Sequence, residues 1–127
     1  MVKMMRVTHQ DRVDSLISHF WRNGYLTVSR KFGTYLPNPK PVGSYEIDAV
    51  GKYKKSYIFG LILTEKDFDD SRLKSKLHYL SSRNTKYSTR RIKLYLGVPK
   101  AFTSRINDIL SELPKENVDN IKIIVVN

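Results

Sequence analysis

The stretch "YEIDAVGKYKKSYIFGLIL", Tyr45 to Leu63, sets two carboxylates, Glu46 and Asp48, two residues apart in what reads as the first strand of a hairpin. Side chains two apart on a strand share a face, so the pair could act on one ligand. A carboxylate in the middle of a strand is costly to bury unless a cation or several donors meet it. The chemical question is whether the second strand supplies those partners.

Other chemistries are thin. Cysteine is absent, which removes disulfides, thiol nucleophiles and cysteine-ligated zinc. His9, His19 and His78 fall in no metal-ligand spacing, and each reads as a surface or half-buried residue. No nucleophile-elbow, Walker A or dinucleotide-binding glycine pattern occurs. Acyl transfer and nucleotide-dependent chemistry therefore have no support.

The elements that must position the carboxylates follow from periodicity. Thr8 to Asn23 places Val13, Leu16, Ile17, Phe20 and Trp21 at helical spacing, with Gly24 as the stop. "YLTVSRKF" alternates as a strand, and the proline-rich "GTYLPNPKPVGS" is a loop or long hairpin connection. The two strands of the opening stretch come next, with Gly51 to Lys55 as their turn. "TEKDFDD" is an acidic lead-in whose Asp69 or Asp70 caps a helix beginning near Ser71 and packing through Leu73, Leu77 and Leu80. After "RNTKYST" come the strand "RRIKLYLGVP", a helix with Phe102, Ile106, Ile109, Leu110 and Leu113, and the strand "NIKIIVVN". The order α-β-β-β-α-β-α-β predicts one α/β domain over residues 1–127: a meander, then two strands added in parallel through helical crossovers. A mixed sheet with helices on both faces is expected.

The chain of 127 residues carries 23 Lys plus Arg against 12 Asp plus Glu, a formal net charge of +11 and a pI near 9.9. The excess is concentrated: Ser71 to Asn107 holds ten basic residues and no acid. Such a block favours a polyanion, most simply nucleic acid, because neutralising phosphates releases condensed counterions. Arg72, Lys74, Lys76, Arg83, Lys86, Arg90 and Arg91 are the expected phosphate contacts. Of the aromatic residues, Tyr35, Tyr53 and Tyr87 fall in expected loops beside cations and are candidates for contact. Trp21, Tyr57, Tyr79 and Tyr95 are read as packing. No run approaches the roughly 20 apolar residues that cross a bilayer, and the amino-terminal "MVKMMRVTHQDRVDSL" turns polar too early for a secretory signal. A cytoplasmic protein without a membrane partner is expected.

Element order and several motifs, over residues 8 to 126, resemble the PD-(D/E)xK nuclease superfamily, which includes restriction endonucleases and archaeal Holliday junction resolvases. Asp14 stands ten residues before Gly24-Tyr25, as an acidic residue of the first helix does in that family, and "YEIDAVG" supplies Asp48 as the metal-binding aspartate. The resemblance implies a restriction-endonuclease-like αβββαβ core, here extended by one helix and one strand. It also implies a third strand bearing an acid and a lysine two residues apart, which with the aspartate hold Mg or Mn and activate water. In "KKSYIFGLIL" those positions are Gly60 and Ile62, so the catalytic set is incomplete.

The expectation is a nucleic-acid-binding protein, acting on duplex or branched DNA, that recognises backbone and shape, needs no cofactor to bind, and does not cleave. The resemblance adds Lys31, Tyr35 and Lys40, from a region that in the family can reach toward DNA, as further contacts. The first alternative is an active Mg- or Mn-dependent endonuclease that uses Asp14, Glu46 and Asp48 as metal ligands, with Lys66, Lys74 or Lys76 as a relocated lysine. The second is a non-catalytic interaction or structural subunit, such as a homodimer pairing through "IKIIVVN" at a sheet edge.

Overall fold

A computed structural model describes residues 7–85 and 90–126. Helix α1 spans His9–Arg22. Thr8 caps it reciprocally: its hydroxyl accepts from the Asp11 amide at 3.1 Å, and the Asp11 carboxylate accepts from the Thr8 amide at 2.9 Å. Val13, Leu16 and Phe20 form its buried stripe, with Ile17 partly buried. Trp21 does not join them and is 71% exposed. It lies one helical step, about 100°, from the fully buried Phe20, at the solvent margin of the stripe.

Among the described residues the strands are β1 Leu26–Arg30, β2 Ala49–Tyr53, β3 Ser56–Ile62, β4 Lys93–Val98 and β5 Ile121–Val125. They form one mixed sheet in the order β1-β2-β3-β4-β5. The first three make an antiparallel meander, and β4 and β5 add in parallel. The β2–β3 turn is tighter than the expected Gly51 to Lys55. Tyr53 already pairs with Ser56, leaving Lys54 and Lys55 as the turn, with Lys54 at a left-handed φ of 53°. The proline-rich connection is irregular as expected, tied by a Val42–Tyr45 bridge and by the Arg30 amide on the Pro37 carbonyl at 3.0 Å.

The crossovers contain more turns than the periodicity shows. The acidic lead-in forms a short helix, α2 Glu65–Phe68, because the Asp67 carboxylate accepts from both the amide and the hydroxyl of Thr64. Asp70 then accepts from the Arg72 amide at 2.9 Å in the turn before α3 Leu73–Ser81. The cap position of α3 is Arg72 and carries no side-chain cap bond, so neither Asp69 nor Asp70 caps the helix as expected. A 3-10 turn at Lys100–Phe102 precedes α4 Thr103–Leu110, which ends before Leu113, and α5 Lys115–Val118 leads into β5.

Alternation along β3 divides the core in two. Ile58, Gly60 and Ile62 face α1, while Phe59, Leu61 and Leu63 join Leu77 and Leu80 of α3 and Ile106 of α4. Helices therefore cover both faces of the sheet, as expected. Two asparagines fasten the α3 side. Asn117, 2% exposed, donates to Ser81 Oγ at 2.9 Å, and Asn120 Nδ2 donates to the carbonyls of Ser81 and Ile92, each at 2.8 Å. Among the described residues no helix is long and apolar enough to cross a membrane.

Candidate functional site

Asp48 sits at the mouth of β2, one residue before the strand begins, rather than in its middle. Its backbone is fixed on both sides: its amide donates to the Gly60 carbonyl and its carbonyl accepts from the Lys31 amide, both at 2.8 Å. Alternate amides of β3 point to alternate neighbours. The Leu63 amide bonds Gly97 of β4, whereas the Ile62 amide points the other way and is taken by Asp48 Oδ2 at 2.7 Å. The side chain thus supplies a further rung after the last β2–β3 pair. It is 2% exposed, so its charge needs partners.

Those partners are His9 and Lys31. His9, the first residue of α1, donates from Nε2 to Asp48 Oδ1 at 2.7 Å, and its ring packs against Phe32 with centroids 5.7 Å apart. Lys31 Nζ stands 3.7 Å from Asp48 Oδ1 and 3.7 Å from Glu46 Oε2. Glu46 is solvent-exposed, and Asp14 meets the guanidinium of Arg30 from the end of β1. Each of the three expected metal ligands therefore faces a cation of the chain. Among the described residues, no three His, Asp or Glu side chains assemble as a metal site would require.

Gly60 and Ile62 have positive packing reasons for their identity. A β-carbon at Gly60 would lie 2.6 Å from Leu16 Cδ2 and 2.8 Å from Phe20 Cζ, so any side chain at residue 60 would have to displace these two buried residues of α1. Ile62 is 2% exposed in the same cluster. Among the relocated-lysine candidates, Lys74 pairs with Glu112 at 3.4 Å, and Lys76 lines an open cleft of about 410 Å3 with Glu46, Asp67, Asp70 and Arg72. The lysine beside Asp48 is Lys31, which the sequence offers only as a loop cation.

Folding disperses the basic run. Arg72 pairs with Asp70, whose carboxyl is held below its ordinary range by hydrogen bonds from Arg72. Arg83 stacks 3.8 Å from the Tyr79 ring centroid and donates to the Tyr79 carbonyl at 2.9 Å. Lys40 and Arg91 are exposed, whereas Lys86 and Tyr87 lie outside the described residues. Arg90 donates from Nη1 to Ser56 Oγ at 2.9 Å, at the β2–β3 turn. Tyr35 is 95% exposed on its loop.

A different basic surface forms at that end of the sheet. Register gives Tyr53, Ser56, Lys93, Tyr95 and Lys122 the same parity as Ile58 and Ile124, which face α1. These residues lie at the end where α1 gives way at Arg22, so part of the face is left open. Lys122 Nζ is 3.3 Å from Asn23 Oδ1 and 5.4 Å from the Tyr95 ring centroid, and Lys54 Nζ is 5.4 Å from that of Tyr53. Tyr25 meets Tyr53 and Tyr95 edge-on, with centroids 6.4 and 6.2 Å apart. None of the five strands contains an Asp or Glu. The local field shows at His19: partial burial lowers its pKa, and Arg22 and Lys122 lower it further. The strand alternation in "KLYLGV" and "IKIIV" hints at this surface, but its assembly depends on a register that one strand cannot reveal.

Among the described apolar residues of the β5 edge, only Val125 is strongly exposed, at 48%, whereas exposed apolar side chains gather near the opposite edge at Leu26, Val28, Phe32 and Leu36. No protein-family model matches the chain, nor does any curated protein or solved structure.

Proposed function

We propose that the protein binds nucleic acid, DNA in the first instance, through its phosphate backbone, on a PD-(D/E)xK-like core whose catalytic set is incomplete. The observation that supports the reading best is the open end of the α1 face, where the register sets Lys93 and Lys122 on neighbouring strands, with Lys54 and Arg90 at the β2–β3 turn, and no strand contains an Asp or Glu. The α-β-β-β-α-β order of the elements is the one the resemblance implies. Gly60, packed against Leu16 and Phe20, accounts for the missing acid. The experiment is fluorescence anisotropy with labelled DNA across a salt series. Neutralising four to six phosphates gives a slope of log K against log salt of about −3 to −5. Affinity unchanged over several hundred millimolar salt overturns the reading. Incubation with Mg or Mn leaves the DNA uncut.

A second reading, a metal-dependent endonuclease, is favoured by the placement of Lys31 between Glu46 and Asp48. It requires Mn-dependent cleavage that disappears in both Asp48→Ala and Lys31→Ala. Cleavage that survives either substitution rejects it.

A further inference from the structure

We infer that the open end of the sheet takes an unpaired nucleic-acid strand, with Tyr53 as the platform on which one base stacks. The inference rests on the nucleic-acid reading and names the form of its ligand.

Tyr53 is 51% exposed although it belongs to the sheet. Its ring is not loose. Tyr25 meets it at an interplanar angle of 72° and in turn meets Tyr95 at 73°, and Tyr95 is 4% exposed. The row of three rings is thus anchored in the core at one end and presents Tyr53 at the other. Lys54 Nζ lies over the Tyr53 ring, 5.4 Å from its centroid, so a stacking base takes the place of a mobile lysine chain, which can turn to a phosphate. An exposed ring beside cations is what a base prefers.

The cations are placed to follow a backbone past that ring. Lys54 flanks Tyr53 at the turn, Arg90 is oriented by Ser56 on β3, and Lys93 and Lys122 continue across β4 and β5. Neighbouring strands lie about 4.8 Å apart, so these charges cross the sheet in steps suited to an extended polyanion. A duplex keeps its base faces stacked inside and could use only the charges. An unpaired strand can use the charges and the tyrosine together. The one side-chain amide identified on this surface, Asn23, is engaged by Lys122, so the surface offers no obvious reader of base edges and sequence tolerance is expected.

The experiment compares fluorescein-labelled oligothymidylate, oligouridylate and a DNA duplex of equal length at one low salt concentration, using the full chain. The single strands are expected to bind at least about fivefold more tightly than the duplex. Tyr53→Ala is expected to weaken single-strand binding by about 5- to 100-fold while leaving duplex binding and the salt slope unchanged; Tyr53→Phe restores it. Lys93→Gln with Lys122→Gln lowers the salt slope for every ligand. Melting curves verify that each variant is folded. Duplex binding as tight as single-strand binding, or a Tyr53→Ala variant with unaltered single-strand affinity, overturns the inference and leaves the nucleic-acid reading standing. Failure of all three ligands to bind overturns both.

Discussion

The carboxylate of Asp48 accepts the backbone amide of Ile62 at 2.7 Å, a side chain standing where a β2 carbonyl would continue the ladder. The other oxygen is held by His9 at 2.7 Å, so one buried acid joins the amino-terminus of α1 to the middle of the sheet. An acid of this kind is structural whatever else it does.

Asp48→Ala leaves the Ile62 amide unpaired in the interior and strands His9 and Lys31 without their shared anion. A loss of about 2–4 kcal/mol in unfolding free energy is expected from urea titration, with Asp48→Asn losing about half as much because an amide oxygen still serves Ile62. Asp14→Asn, which breaks only a half-exposed ion pair with Arg30, should cost under about 1 kcal/mol. Equal effects at Asp14 and Asp48 would contradict the ladder role.

Placing an acid at residue 60, where the nuclease resemblance expects one, should fail on steric grounds. Gly60→Asp drives a β-carbon to within 2.6 Å of Leu16 and buries a charge beneath α1. The expected cost is at least about 3 kcal/mol. Circular dichroism melting checks it, and Gly60→Ala should already lower the midpoint. A fully stable Gly60→Asp protein would show that α1 does not hold its position through this contact.

His19 gives a pH dependence of defined sign. Its folded-state pKa lies below the ordinary 6.5, so the unfolded chain takes up the proton first on acidification. The stability contributed by the neutral ring is present above about pH 6.5 and is lost as pH falls from there through the folded-state value. His19→Gln should therefore lose less stability than the parent between pH 7.5 and 5, measured as melting midpoints in matched salt. Parallel pH profiles would remove His19 from the account.

Asn117 is a buried amide with two acceptors on α3, Ser81 Oγ and the His78 carbonyl, and its loss should be felt locally. Asn117→Ala is expected to cost about 1–3 kcal/mol. Hydrogen exchange should show the extra opening concentrated in α3 and α5, with the α1 side protected as before.

Local chemistry made much of this architecture readable in advance. The apolar spacing of Val13, Leu16 and Phe20 and the Gly24 stop specify α1, alternation specifies the strands, and prolines mark the long connection, since each depends only on residues a few positions apart. Two parallel crossovers follow from the order of the elements. Reading Trp21 as packed failed because the spacing of a helical stripe does not say how wide a face its neighbours will cover, and Trp21 lies at the margin beside the buried Phe20.

The candidate sites were legible only in part, because each joins residues distant in sequence. Asp48 could be singled out as a strand carboxylate, but His9 lies 39 residues away and reaches it only when α1 crosses the sheet. Gly60 stands where the resemblance expects an acid, but what a side chain there would meet shows only once α1 is in place; Lys74 likewise finds Glu112, 38 residues away, only in the fold. The open cationic surface, conversely, needed the β3–β4–β5 register to set Lys93 and Lys122 beside Tyr95. Sequence by itself determined what could form locally. Which charges meet, and which stay exposed, was decided by tertiary packing, since Coulomb and hydrogen-bond energies act over a few ångströms of space irrespective of separation along the chain.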